Sequence, residues 1–363
     1  MNHHDTINTA EFNKLLGGET SVDDEQGLMR NTLEQLDGKI DTFRHDNDLH
    51  LFVHGVAKSL GVEIADIDNI DLDEKTYKSA IHSMLDTRKG KSREEAAEME
   101  YDSDALEILE RLKHEYLMVG DSTPEDPECD MGLAHGGAAD TIWRRLKYLS
   151  ELVDAEKINT NTFGALASER SVNDAERERA KRSGYSKRGE PAITEFDLAR
   201  NAASDIFDID DEEWMYINGN DPTIPEQHRY QSSYKIAYAA KDGKHVFVLS
   251  APMIDENRQH PDGKRRNRSN TADTMAMVAR MLHDVKSDPK IIASTDAIFQ
   301  FQRPDGESRL APLGVKYEQV GFSREWANMP DFTPRYYAQE LWSLINQTYK
   351  ARDYLRNQYN ITD

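Results

Sequence analysis

Apolar residues in the first third of the chain recur every three or four positions, between stretches that are almost entirely polar. This period places the apolar side chains on one face of a helix, where they can pack against a neighbouring element. We therefore predict a small, separate helical domain over residues 1–112. The apolar positions are Leu51, Phe52, Val56 and Leu60, then Tyr77, Ile81 and Leu85, and finally Leu106, Leu109 and Leu112.

From residue 116 onward the pattern changes, and short apolar runs alternate with longer amphipathic stretches. Strand–helix alternation with short connections is typical of a parallel sheet covered by helices on both faces. We therefore predict an α/β, Rossmann-like domain with a mostly parallel sheet over residues 113–330. A C-terminal helix, within residues 331–363, is predicted to pack on that domain. The predicted strands are residues 116–119, 163–167, 214–217, 245–250, 290–294 and 315–320, and the predicted helices are 138–153, 194–207, 232–240, 271–283 and 335–356.

Composition and charge narrow the classes of partner. No run approaches the roughly 20 apolar residues that a membrane span requires. The first residues lack a basic segment followed by an apolar stretch, so we expect a cytoplasmic protein without a secretory signal. The formal net charge is −22, and residues 1–112 carry 26 acidic and 12 basic residues. Such a charge disfavours nucleic acid and anionic membranes, and an anionic ligand would need a local basic site.

Neither a reactive thiol nor a metal site is predicted. Cys129 is the only cysteine, and it lies in a strongly acidic segment. Neighbouring carboxylates would raise the pKa of its thiol, so we interpret it as an ordinary loop cysteine rather than a nucleophile. The twelve histidines are scattered along the chain, and we predict no zinc site among them.

The segment from residue 245 to residue 283 is the most informative part of the chain. A buried strand ends at Ser250, a long loop follows, and Ser269, Asn270 and Thr271 open an amphipathic helix. The free N–H groups at such a helix start bind anions, and the loop before it carries Arg268 among five basic residues. Two interpretations stay open. The segment binds a phosphate or carboxylate, or it only caps a helix beside a solvated basic loop.

A second group of polar residues follows the predicted strand 290–294. Ser294 and Thr295 end this strand, so their hydroxyls are predicted at the carboxyl edge of the sheet, where open α/β sheets bind ligands. Arg303 follows within reach of the same edge. The alternative interpretation is a polar turn between a strand and a helix.

A third group precedes and begins the predicted helix 138–153. Gly136 and Gly137 would let the backbone approach a ligand closely, and Arg144 or Arg145 would reach the sheet edge from the helix. The segment fits neither the G-x-G-x-x-G pattern nor a P-loop, so it gives little support for a dinucleotide. The alternative for each arginine is a position that faces solvent.

Two glutamates are candidate general bases. Glu169 follows the predicted strand 163–167, and Glu195 opens the predicted helix 194–207. A carboxylate beside a bound hydroxyl or water can accept its proton. Alternatively, a glutamate at a helix start only complements the helix dipole.

Taken together, these segments resemble the bacterial YdcF/ElyC/SanA-like family over about residues 116–322. In that family a strand precedes a Ser-x-Asn-Thr-type helix start, and a later strand ends in a Val-Thr-Ser-like turn with a downstream arginine. The resemblance implies a Rossmann-like fold with a site at the carboxyl edge of the sheet, and S-adenosylmethionine or nucleotide binding. The matching residues are Ser269, Asn270 and Thr271, then Ser294, Thr295 and Arg303, with Arg144 or Arg145 and Glu195 as further correspondences.

This sequence departs from the family pattern at several points. VGDST stands at the glycine-rich turn expected after the first strand, ALASER stands at a Ser-Gly-Gly turn, and glutamine or phenylalanine replaces a later histidine. Family members are often anchored in membranes, whereas this chain has no apolar anchor. No shared reaction is established for the family, so the resemblance implies a ligand class rather than an activity.

We predict that the α/β domain binds a nucleotide-like or other anionic small molecule at the carboxyl edge of its sheet. Whether it also converts that molecule stays open, with S-adenosylmethionine or a nucleotide as the candidate cofactor. The alternative is a non-catalytic sensor or adaptor whose acidic helical N-terminal domain binds a protein partner.

Overall fold

A computed structural model describes residues 25–69, 71–87, 100–137, 139–168, 171–182, 192–220, 233–251 and 288–359, together with 274, 275, 277, 278 and 282. The chain falls into two compact units. The first, here the sheet unit, comprises Met1–Leu28, Thr123–Asp296 and Arg309–Val320. The second, here the helical unit, comprises Met29–Ser122, Ala297–Ser308 and Gly321–Asp363.

Helices and seven strands follow one another along the described residues. The strands are β1 (Met131–Ala134), β2 (Thr162–Ala167), β3 (Met215–Asn220), β4 (Ser233–Lys241), β5 (Lys244–Ser250), β6 (Lys290–Asp296) and β7 (Lys316–Phe322). The helices are α1 (Glu25–His45), α2 (Asn47–Leu60), α3 (Glu74–Leu85), α4 (Ser103–Glu115), α5 (Ala139–Asp154), α6 (Asp174–Arg182), α7 (Glu195–Phe207), α8 (Gln302–Leu310) and α9 (Pro334–Tyr359).

Aspartates begin three of the helices in the helical unit. The carboxylates of Asp46, Asp73 and Asp102 each accept a hydrogen bond from a backbone N–H in the first turn of α2, α3 and α4. This contact satisfies an N–H that has no partner within the helix, which fixes where the helix begins. Helices are present in the region of the predicted domain over residues 1–112, but the helical unit begins at Met29 and also includes Ala297–Ser308 and Gly321–Asp363.

The long C-terminal helix α9 packs against α3 and α4. Its buried residues Tyr337, Leu341 and Ile345 share one core with Phe52 and Leu112. The sequence predicted a helix here and assigned it to the α/β domain, whereas the structure groups it with the helical unit. An amphipathic pattern shows that a helix has an apolar face to bury, but it does not show which partner buries it.

The sheet of seven strands has the order β3-β4-β5-β2-β1-β6-β7. Strands β5, β2, β1 and β6 are parallel neighbours, and the pairs β4–β5 and β3–β4 are antiparallel. In the parallel part, β2 and β5 extend the sheet to one side of β1, while β6 lies on the other side. The strand order therefore reverses between β1 and β6, and such a reversal opens a crevice at the carboxyl ends of the strands.

Helical residues cover both faces of this sheet. On one face, α5 packs on β1 and β6, and α7 packs on β2 and β5. On the other face, the helical residues Met275, Val278 and Leu282 are buried in one cluster with Leu133 and Phe247. The predicted α/β, Rossmann-like class with a mostly parallel sheet is therefore confirmed. Among the helices of the described residues, none is long and apolar enough to cross a membrane.

Three predictions about individual elements were wrong. Residues 116–119 form no strand, because Tyr116 caps the C-terminus of α4 and Leu117 adopts a left-handed backbone conformation. A helix was predicted over residues 232–240, but Ser233–Lys241 forms β4, where Tyr234, Ile236 and Tyr238 are buried at the alternating spacing of a strand. The four residues of β1 were read as part of a loop, since they are too short a run to show a period.

Candidate functional site

Polar residues end each of the four parallel strands. Because parallel strands point the same way, their carboxyl ends meet at one edge of the sheet, where α/β proteins bind ligands. The residues at this edge are nearly inaccessible to solvent despite their polarity. They are His135 after β1, Ser168 after β2, Ser250 at the end of β5, and Thr295 and Asp296 at the end of β6.

His135 follows β1, one of the two strands between which the strand order reverses. Its side chain has no solvent-exposed surface, and its Nε2 lies 2.6 Å from the hydroxyl of Tyr317 in β7. Its other ring nitrogen, Nδ1, is buried and has no hydrogen-bond partner within the described residues. Burial, together with the positive charge of Arg145, lowers the pKa of His135 to about 3, so the ring is neutral at physiological pH.

The contacts of the Tyr317 hydroxyl bear on the tautomer of His135. The distance from this hydroxyl to Nε2 is 2.6 Å, against 3.4 Å to the Gln319 Oε1 atom. A hydroxyl that donates to Nε2 leaves the ring proton on Nδ1, whereas a hydroxyl that donates to Gln319 lets Nε2 carry the proton and leaves Nδ1 as an acceptor. In the first tautomer Nδ1 is a hydrogen-bond donor, suited to an oxygen of an anionic or carbonyl group.

The turn after β1 is held by Arg145 from the second turn of α5. Its Nη1 donates to the carbonyl oxygens of His135, at 2.8 Å, and Gly136, at 2.6 Å. A side chain at Gly136 would bring its Cβ to 3.0 Å from the Leu166 carbonyl oxygen of β2. At Gly137 a Cβ would lie 2.9 Å from Cγ2 of Thr141. Both glycines therefore serve the close packing of the turn that leads into α5.

Ser294 joins β6 to the same helix. Its hydroxyl donates to the carbonyl oxygen of Arg145 at 2.7 Å, and its side chain is fully buried. This hydrogen bond fixes α5 against the strand on the far side of the reversal. The hydroxyl of Ser294 is thus occupied by a structural contact, and Thr295 is the next buried hydroxyl toward the edge.

Ser168 and Glu195 form a buried pair where β2 ends and α7 begins. The hydroxyl of Ser168 donates to Oε2 of Glu195, and the backbone N–H of Phe196 donates to the Ser168 carbonyl oxygen at 3.1 Å. Thr194 caps α7 through a reciprocal pair of contacts with Asp197, which fixes the position of Glu195 in the first turn. A carboxylate that accepts from a serine hydroxyl is the arrangement in which a general base activates a nucleophile.

The remaining predicted site residues either contact other partners or lie outside the described residues. Arg144 forms an ion pair with Asp140, one turn earlier on α5. Arg303 belongs to the helical unit, where its Nε lies 2.7 Å from the Glu307 carboxylate. The rest of the predicted set lies outside the described residues, namely Glu169, Arg268, Ser269, Asn270 and Thr271.

Sequence reasoning missed His135 and Tyr317, because the site depends on β1, which was not recognised. The signal in the sequence was the run of four buried residues before His-Gly-Gly, since a glycine-rich turn after a short apolar run marks the end of a strand in α/β folds. Tyr317 reaches the site only through the sheet order, which no local pattern encodes.

Neither a metal centre nor a reactive thiol emerges from the part of the chain that the structure describes. No group of three or more His, Cys, Asp or Glu side chains in it could hold a metal ion. Burial raises the pKa of the Cys129 thiol to about 12, and the charge of Asp130 adds to this effect. The thiol is therefore protonated at neutral pH and a poor nucleophile.

The chain matches no known protein-family model, and it matches none of the curated proteins or solved structures with which it was compared. The resemblance to the YdcF/ElyC/SanA-like family stays a prediction.

Proposed function

We propose that the sheet unit binds a nucleotide-like or other anionic small molecule at the carboxyl edge of its sheet, between the ends of β1 and β6. The observation that carries this proposal is the buried Nδ1 of His135, which has no hydrogen-bond partner among the described residues. A buried polar atom without a partner costs about 1–3 kcal/mol, so folded proteins rarely keep one without a use. A ligand oxygen at this position would accept the Nδ1 hydrogen.

The surroundings of His135 suit an anion. Helix α5 begins at Ala139, four residues after His135, and the free N–H groups of a helix N-terminus favour negative charge. The strand order reverses at this place, and α/β proteins of this topology bind ligands in the resulting crevice. A nucleotide or S-adenosylmethionine combines a polar group for this position with a larger body along the edge.

The Ser168–Glu195 pair is our candidate for any chemistry at the site. Glu195 would take the proton of the Ser168 hydroxyl, or of a water or substrate hydroxyl in its place, as a general base. Glu169, next to Ser168 in sequence, stays the second candidate base. In the alternative function, a ligand sensor or adaptor without turnover, the same buried pair only anchors the start of α7, and the acidic helical N-terminal domain, residues 1–112, binds a protein partner.

The first experiment is a thermal-shift screen of the full chain against nucleotides, S-adenosylmethionine, sugar phosphates and divalent metals. A ligand at about 100 times its dissociation constant adds roughly 2.7 kcal/mol to the free energy of unfolding. We expect such a stabilisation from an anionic ligand, and we expect His135→Leu to remove most of it. The loss corresponds to about 1.5–3 kcal/mol of binding free energy, the range for a hydrogen bond to a charged group.

His245→Leu is the matched control. His245 also pairs with a tyrosine hydroxyl, that of Tyr238 at 2.7 Å, but it lies at the start of β5 and therefore at the opposite edge of the sheet. Equal stabilisation of wild type and His135→Leu by the ligand would contradict the proposed site. If wild type converts the ligand and Glu195→Gln does not, the protein is an enzyme rather than a sensor.

A further inference from the structure

The helical unit contains a cavity of about 160 Å³ that the proposed site does not use. Its walls come from α1, the end of α4, residues 300–304 and α9. Phe43, Pro304 and Leu344 give it apolar walls, and Lys39 and Arg303 line it with positive charge. An engineered cavity of about 150 Å³ holds one benzene molecule, so this space is sufficient for a ligand of that size.

Two basic side chains share one buried carboxylate at this cavity. Glu307 accepts from Nε of Arg303 at 2.7 Å through one oxygen, and its other oxygen lies 3.5 Å from Nζ of Lys39. Charge-assisted N–H···O contacts are normally about 2.7–2.9 Å long, so the contact of Lys39 is weak. Within the described residues, Glu307 is the one carboxylate that lies within ion-pair distance of Lys39.

The Lys39 side chain is 35% exposed, and its buried part disfavours a charge that lacks a close partner. Burial lowers the pKa of Lys39, the Glu307 carboxylate opposes this effect, and the nearby Arg303 guanidinium adds to it. A second anion beside Lys39 would give the ammonium the close contact that Glu307 does not provide.

The third charged wall residue, Glu115, limits the kind of anion. Burial raises its pKa, as do the negative charges of Asp46 and Asp48. Two carboxylates, those of Glu115 and Glu307, would oppose a multiply charged phosphate in so small a space. A singly charged group on an apolar body fits the two cations and the apolar walls better.

We propose that this cavity binds a small organic carboxylate, with its charged group beside Lys39 and Arg303 and its apolar body, about the size of one benzene ring, against Phe43, Pro304 and Leu344. This proposal is independent of the proposed function. It also gives Arg303, which the sequence assigned to the sheet edge, an anionic ligand in the helical unit.

The test is calorimetric titration of the full chain with benzoate and, as the uncharged counterpart, benzamide. We expect benzoate to bind and benzamide to bind at least tenfold more weakly. We expect Lys39→Met, which keeps the length of the side chain and removes its charge, to weaken benzoate about tenfold or more. Lys58→Met is the matched control, because Lys58 is an exposed lysine of the same unit and does not line the cavity.

Leu344→Phe provides a second variant in case Lys39→Met does not fold. The larger ring fills the apolar end of the cavity and leaves both cations in place, so it should abolish benzoate binding. Benzoate that binds Lys39→Met or Leu344→Phe as tightly as wild type would overturn the proposal. So would a wild-type chain that binds neither benzoate nor the aliphatic acids hexanoate and cyclohexanecarboxylate. His135→Leu should leave benzoate binding unchanged, which separates this result from the fate of the proposed function.

Discussion

At the scale of single residues, two buried glycines on neighbouring strands have different tolerances for a side chain. A Cβ at Gly164 in β2 would overlap the ring of Phe247 and lie 2.8 Å from Cδ1 of Leu133. At Gly132 in β1, the nearest atom to a new Cβ is a Leu149 methyl carbon at 3.6 Å, an ordinary contact. Close packing at Gly164 therefore leaves no room for even one methyl group.

We predict that Gly164→Ala lowers the free energy of unfolding by about 1–3 kcal/mol, the usual range for overpacking a core. Gly132→Ala should change it by much less, because the methyl group fits the available space. Urea denaturation of the two variants beside wild type measures both values. Equal stabilities of the two variants would show that the core around Phe247 is looser than described.

The second residue-scale prediction concerns the pH dependence of stability. The pKa of His135 is about 3 in the folded protein, against about 6.5 for an ordinary histidine. Between these values the unfolded chain binds a proton that the folded chain does not, so stability is present above pH 6.5 and is lost as the pH falls toward 3. In this window each pH unit lowers the free energy of unfolding by about 1.4 kcal/mol.

Wild type should therefore lose about 2 kcal/mol more than His135→Leu between pH 7 and pH 5. Urea denaturation at the two pH values measures this difference. An identical pH dependence in both proteins would mean that the imidazole is protonated as readily in the folded chain as in the unfolded one.

At the scale of elements, the cap of α7 positions the candidate base. Thr194 Oγ1 accepts from the Asp197 backbone N–H at 3.2 Å, and the Asp197 carboxylate accepts from the Thr194 backbone N–H at 2.9 Å. Loss of such a cap costs about 1 kcal/mol. We predict this loss for Thr194→Ala in urea denaturation, and near wild-type stability for Thr194→Ser, which keeps the hydroxyl. If Thr194→Ala were as stable as wild type, tertiary packing, and not the cap, would determine where α7 begins.

Elements with a full hydrophobic period were predicted well from the sequence, and short or ambiguous ones were not. Helix α5 was predicted within a residue at each end, and β2 and β5 were also found close to their predicted bounds. Strand β1 has four residues, fewer than a period-2 pattern needs, so it was missed. The local sequence of β4 is compatible with a helix, because it contains Ala237, Ala239 and Ala240. It forms a strand because it pairs with β3 and β5.

The candidate site was predictable only as far as it follows from strand ends. Ser250, Ser294 and Thr295 were placed correctly at the ends of β5 and β6, because an apolar run that stops at a hydroxyl is visible in the sequence. The contact of His135 with Tyr317 joins residues 182 positions apart. Such a contact depends on the order of the strands in the sheet, and local patterns do not encode that order.

At the scale of the whole molecule, the net charge disfavours an anionic ligand, whereas the topology of the sheet favours one. The net charge of −22 repels anions over much of the surface. The reversal of strand order between β1 and β6 nevertheless brings a helix N-terminus near a neutral, buried histidine. Under the proposed function, an anionic ligand would be held by hydrogen bonds from N–H groups at the sheet edge, rather than by the overall field of the protein.

The most direct test of this account is nitrogen NMR of the protein labelled with ¹⁵N-histidine, with ring signals assigned by His135→Leu and His245→Leu. The probe is the anionic ligand that stabilises the chain most in the thermal-shift screen. We predict that the His135 ring is neutral from pH 5 to pH 8, that saturating ligand shifts its Nδ1 signal, and that the His245 signals stay in place. A His135 ring that titrates near pH 6.5, or an Nδ1 signal that saturating ligand leaves unmoved, would contradict the proposed site.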